Sequence, residues 1–274
     1  MKKRYDLIFC IGTACSCSQT LRGAGLQLMS FPFDWVSFHD EAEDVRDAVV
    51  TRIECICNGF DGWIRREDFH TIGENGGDHM GTGTLDCYND RLQMRFPHDF
   101  PTTKSLDESF PSILEKYRRR ISRLYELLDQ SDRILLFRME RPNQSFEPPV
   151  ESFAAARERL LARYPGKHFD FLAFRQRPGV PYRKRTVERV GDWLTIVSFD
   201  YKSYAPDVPP YEADIRHTVA ALRKLVSVRD YRTPEERKTK KLKDRQKKYG
   251  KYGATNWLQY HVARLHEKIA RHFS

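Results

Sequence analysis

No run of about 18 apolar residues occurs in the chain, so no membrane-spanning helix is expected. Cysteine is missing after position 87. The six thiols Cys10, Cys15, Cys17, Cys55, Cys57 and Cys87 leave two thirds of the chain unstapled, which excludes a disulfide-framework protein and makes reduced thiols the expectation. Also lacking are a Gly-x-Gly-x-x-Gly after a strand and a phosphate-loop lysine, so the glycines between Gly73 and Gly83 carry no nucleotide fingerprint. The basic start, MKKRYDLIFCIGTACS, is interrupted by Asp6 and has no clean small-residue cleavage site. A cytoplasmic protein is expected.

Neither is the charge general. Of the formal net charge of +9, +7 lies between Arg232 and Lys251, where ten Lys or Arg face three acids. The remainder is close to neutral, which argues for a folded body with a local basic segment. At 274 residues, 40% hydrophobic and 31% charged, the chain can bury a sizeable core. The expected division is a domain over 1–230 and a basic segment with a C-terminal amphipathic helix over 231–274.

Elements follow from periodicity. Tyr5–Gly12 reads as a buried strand, and Thr13–Leu21 as a helix closed by Gly23 and Gly25. Glu41–Cys57 and Ser112–Asp129 carry apolar residues at helical spacing, as do Val150–Tyr164, Asp214–Val226 and the stretch from Trp257. Arg133–Met139, His168–Phe174 and Trp193–Phe199 read as strands. The alternation predicts an α/β or α+β fold, a mixed sheet flanked by helices with a basic C-terminal helical extension.

The chemistry centres on a thiol at a turn. Cys15 and Cys17 fall where the first strand gives way to the first helix, among unpaired backbone N–H groups at the positive end of the helix dipole. Such a position favours thiolate and can later hold an oxyanion. A phosphatase loop needs an arginine six residues after its cysteine, but Leu21 and Gly23 stand there. A zinc site from Cys15, Cys17, Cys55 and Cys57 has the wrong ligand spacing, so no metal and no cofactor are expected. A thiol enzyme also needs a base. Of the nine histidines, His98 is held in a non-helical segment between Pro97 and Asp99, ahead of Pro101. A surface histidine in a turn is the competing reading.

Gly12-x-x-Cys15 after a strand, Leu21 and Leu26, the PFDW of residues 32–35, the HDF of residues 98–100 and the YRRRISRLYELL of residues 117–128 together resemble a bacterial domain-of-unknown-function family described as papain-like cysteine peptidases. The resemblance covers roughly residues 5–200. It implies a hydrolase with Cys15 as nucleophile and His98 as base, acting on a peptide or other amide. Asp34 and Asp99 are the candidates for a third member, since the next strand offers only Arg138 and Glu140. A papain-like relationship further implies a cysteine-bearing helix and a mainly antiparallel sheet carrying the histidine.

Two other readings stand beside this one. A carbohydrate or nucleotide-sugar enzyme would fit the α/β alternation and the glycine-rich loop. A binding module would use Arg232–Lys251, with Tyr249 and Tyr252, on nucleic acid or an anionic surface.

Overall fold

A computed structural model describes residues 2–38, 48–75, 83–142, 147–181, 183–203, 213–250, 253 and 255–270. The chain divides into two compact units, Met1–Arg229 and Asp230–Ser274.

The first unit is a mixed α/β structure built on three sheets. Its strands are β1 (Lys3–Tyr5), β2 (Leu7–Cys10), β3 (Ser37–Phe38), β4 (Phe69–Asn75), β5 (Thr84–Asn89) and β6 (Met94–Pro101), then β7 (Arg133–Met139), β8 (His168–Gln176), β9 (Thr186–Val190), β10 (Leu194–Phe199) and β11 (Val226–Val228). Its helices are α1 (Cys15–Ala24), α2 (Ala48–Cys57), α3 (Leu106–Asp129), α4 (Val150–Arg163) and α5 (Ile215–Leu225). The main sheet has the order β2-β7-β8-β10-β9, parallel except for β9. A second sheet, β3-β6-β5-β4, is antiparallel throughout, and β1 pairs with β11.

Strand β7 is buried along all but its first residue because both faces of the sheet are covered, which is why RILLFRM shows no polar alternation. One face sends Ile8, Cys10, Leu135, Phe137, Phe174 and Phe199 into a core shared with Cys17 and Leu21 of α1 and Leu222 of α5. The other meets α4 through Phe171 and Phe153, ring centroids 5.5 Å apart, and α4 packs on α2. Backbone pairing continues past the end of β2: Ile11 N donates to Phe137 O at 2.8 Å, and Thr13 N to Met139 O at 3.2 Å. The loop that delivers Cys15 is thus tied to the carboxyl end of β7.

Several boundaries differ from those expected. Helix α1 starts at Cys15, two residues late, because Ala14 is extended at φ −149° and serves as its N-cap. Helix α3 begins at Leu106, six residues before Ser112, because Ser105 and Glu108 form a reciprocal capping box and Pro111 is accommodated in the second turn. Helix α2 covers only the end of the segment expected from Glu41, and 41–47 lie outside the described residues. Most of the glycine-rich stretch 73–83 lies outside them too.

The second unit consists of α6 (Pro234–Gly250) and α7 (Trp257–Ala270), joined by Tyr249 against Tyr260 at 5.4 Å between ring centroids. Among the described residues no helix is long and apolar enough to cross a membrane.

Candidate active site

Cys15 is the first residue of α1 and is half-buried, whereas Cys17 is fully buried with Sγ 3.5 Å from Phe137 O. The helix explains the difference. Cys15, Ser18 and Arg22, three and four residues apart, share one side of α1, and Cys17 and Leu21 turn toward the core. Four other thiols are held protonated. The Cys17 contact and burial push Cys10 well above its usual range, and burial raises Cys57 and pushes Cys55 and Cys87 up to about 12.

The Ser18 and Arg22 side of α1 meets the PFDW turn. Asp34 is fully buried and accepts from Ser18 Oγ (3.1 Å), Arg22 (2.7 Å), Gln27 Nε2 (2.5 Å), the Phe31 N–H (3.1 Å) and Cys10 Sγ (3.4 Å). Its carboxylate is thereby committed to fixing the turn on the helix. Phe33 anchors the same turn against Trp63 at 5.4 Å, and Trp63 packs on Phe96 of β6 at 6.1 Å.

Next in the chain, Trp35 spans the two parts of the site. Its ring lies 5.9 Å from the Arg22 guanidinium and meets His98 edge-to-face at 5.7 Å. His98 stands at an irregularity of β6. Leu85 pairs with Phe100 and Cys87 with Phe96, so Pro97, His98 and Asp99 oppose the single residue Asp86. Such a bulge re-aims side chains. Pro97 contributes no N–H, and its carbonyl accepts from Asn75 Nδ2 and Thr84 Oγ1, both at 2.7 Å. Asp99 points elsewhere: Lys116 and Tyr117 of α3 donate to it, the tyrosine at 2.6 Å. His98 is therefore brought to the turn beside α1, while Asp99 and Asp34 each spend their oxygens on other partners.

Two buried guanidinium groups escaped the sequence reading as parts of the site. Gly12 has φ +145°, and a Cβ there would sit 3.1 Å from an Arg52 nitrogen and 3.3 Å from one of Arg138. Glycine lets the chain pass these arginines on its way to Cys15. Arg52 also stacks over Phe33 at 5.4 Å and donates to Val36 O at 3.5 Å; burial pulls its pKa down to about 10. A signal for both was present, since Arg52 interrupts the apolar face of Val49, Ile53 and Ile56, and Arg138 an otherwise apolar strand. Among the described residues no three or more His, Cys, Asp or Glu side chains gather where they could hold a metal ion, and the thiols weighed as zinc ligands are not collected.

A mostly parallel α/β sheet thus leads into the turn that carries Cys15, and a separate antiparallel sheet carries His98. The chain belongs to the family described as "Putative papain-like cysteine peptidase (DUF1796)", whose model matches residues 6–172. No curated protein and no solved structure matches the chain. The antiparallel sheet expected of a papain-like relative carries His98, but the cysteine helix follows a strand of the separate, mainly parallel sheet.

Proposed function

We propose that the protein is a cysteine-dependent amide hydrolase in which Cys15 is the nucleophile and His98 the base. The observation that carries this reading is the Trp35 bridge between the Cys15-bearing side of α1 and the histidine at the apex of the β6 bulge. His98 takes the thiol proton, and Cys15 Sγ attacks the carbonyl carbon. Backbone N–H groups near Ala14 to Ser16 hold the oxyanion, at a helix start where Ala14 makes no side-chain cap bond. The imidazolium then protonates the departing amine, and water, activated by the neutral imidazole, releases the acyl group. The helix dipole and the guanidinium groups behind Gly12 favour negative charge at the turn. In this reading Asp34 is a positioning residue acting through the PFDW turn, and Asp99 holds β6 to α3.

A peptidyl electrophile that alkylates nucleophilic thiols tests the assignment. It is expected to label Cys15 in the parent and in Cys57→Ala, to lose that labelling in Cys15→Ala, and to label His98→Ala weakly. Equal labelling of Cys15→Ala and the parent would overturn it.

A second activity is attachment to an anionic surface through the second unit. Exposed Lys and Arg crowd α6, and α7 exposes Leu258, Val262 and Leu265 at helical spacing. Vesicles containing anionic lipid are expected to bind the full chain, with binding lost at high salt. Salt-insensitive binding, or none, would refute it.

A further inference from the structure

We propose that the cavity between the β8–β9 loop and α5 binds the phosphate groups of a small phosphate-bearing molecule. The cavity measures about 640 Å³ and is lined by Arg183, Lys184, Arg185, His217, Ala220 and Lys224. That volume lies within the roughly 300–1,000 Å³ of small-molecule sites. It opens at the carboxyl end of the main sheet, where the chain leaves β8 at Gln176 and enters α5 after β10. Ligands of open α/β sheets bind outside that end.

The lining is cationic for a structural reason. His217, Ala220 and Lys224 recur at helical spacing, so α5 turns one face to the loop, and alanine leaves room in its middle. Arg183, Lys184, Arg185 and Lys224 then line one cavity, and no carboxylate stands among its described lining residues. Two acids between β10 and α5 are used elsewhere: Asp200 accepts from Gln176 Nε2 and from the N–H groups of Gly179, Lys202 and Ser203. Asp214 caps α5 through the N–H groups of Arg216 and His217.

Among the described residues, no acid pairs with Lys184, Arg185 or Lys224, and Arg185 Nε is buried without a hydrogen-bond partner. The Arg185 guanidinium instead lies 5.5 Å from the Phe199 ring centroid, against the ring that also packs on His217 at 5.0 Å. Burial pulls the Arg185 pKa down, so its charge carries a desolvation cost that a bound oxyanion would offset. Like charges brought together repel, and a phosphate would relieve that repulsion while accepting from several donors at once. No residue of the Cys15 turn stands among the described lining residues, although α5 itself packs on α1, with Thr218 Oγ1 2.9 Å from Thr20 Oγ1.

Calorimetric titration of inorganic pyrophosphate into the full chain, at matched ionic strength, tests the proposal. Saturable one-to-one binding is expected, weakened at least tenfold in an Arg185→Gln, Lys224→Gln variant and less than twofold in a Lys240→Gln, Lys243→Gln control on α6. Should the first variant fail to fold, the exposed Lys224→Glu change alone is expected to weaken binding at least fivefold. No saturable binding, unchanged binding in the cavity variants, or an equal loss in the α6 control would overturn the proposal.

Discussion

The ring of Trp35 meets the imidazole of His98 edge-to-face, with centroids 5.7 Å apart. Trp35 itself is held at φ 70°, a left-handed conformation uncommon for a bulky residue. The turn preceding it is fixed by five donors to Asp34. The position of the histidine thus depends on a turn that is anchored on the cysteine's helix.

Trp35→Ala is accordingly expected to slow alkylation of Cys15 by about 10- to 100-fold, because the proposed mechanism needs the imidazole held in a fixed geometry toward the thiol. The chain should remain folded, since Trp35 is only partly buried. An unchanged rate, measured by mass spectrometry of the Cys15 peptide, would show that Trp35 does not position the imidazole.

Asp34→Asn is expected to cost about 2–4 kcal/mol of stability, read from urea denaturation, because a fully buried carboxylate loses its charge-assisted bonds from Arg22, Gln27, Ser18 and Phe31. The Arg22 side chain is one third exposed, so water screens part of that pair. A loss below about 1 kcal/mol would contradict the anchoring role.

Burial raises the Glu140 carboxyl to about 7, although Arg138 opposes the shift. The folded chain therefore binds more protons than the unfolded one between about pH 4.5 and 7, and this group's contribution to stability falls as pH rises through that window. Glu140→Gln should gain on the order of 2 kcal/mol relative to the parent above pH 7 and nothing below pH 4.5. Parallel stability profiles of the two chains would show that the carboxyl titrates normally.

Asp200 behaves oppositely. Burial pushes its pKa up, but the N–H of Ser203 and Gln176 outweigh that, and with Gly179 they hold it at about 2. Its contribution is present above the unfolded value of 3.8 and is lost as pH falls toward 2. Asp200→Ala should destabilise at pH 7 by about 1–3 kcal/mol and progressively less below pH 3. A loss that does not shrink in acid would refute the assignment.

The parallel sheet was readable because its strands are continuous apolar runs separated by amphipathic helices. The antiparallel sheet was not, because β4 faces solvent along most of its length and β6 contains Pro97, Pro101 and the bulge, which break the two-residue period. The start of α3 was written in Ser105 and Glu108, yet Pro111 reads as a boundary. Cys15 stands out as a candidate from the turn chemistry of Gly12 onward. His98 was visible as a constrained histidine, but its Trp35 partner lies 63 positions away across a turn, and no local pattern records that pairing. The same applies to Arg52 and Arg138, which reach Gly12 from different elements.

The most direct test is the pH dependence of Cys15 alkylation by iodoacetamide, followed by mass spectrometry in the parent and in His98→Ala. In the parent the thiol is expected to titrate well below the free-cysteine value of about 8.5, and to move up when the imidazole is removed. A Cys15 that reacts slowly, or with the same profile in both chains, would contradict the thiol–imidazole pair.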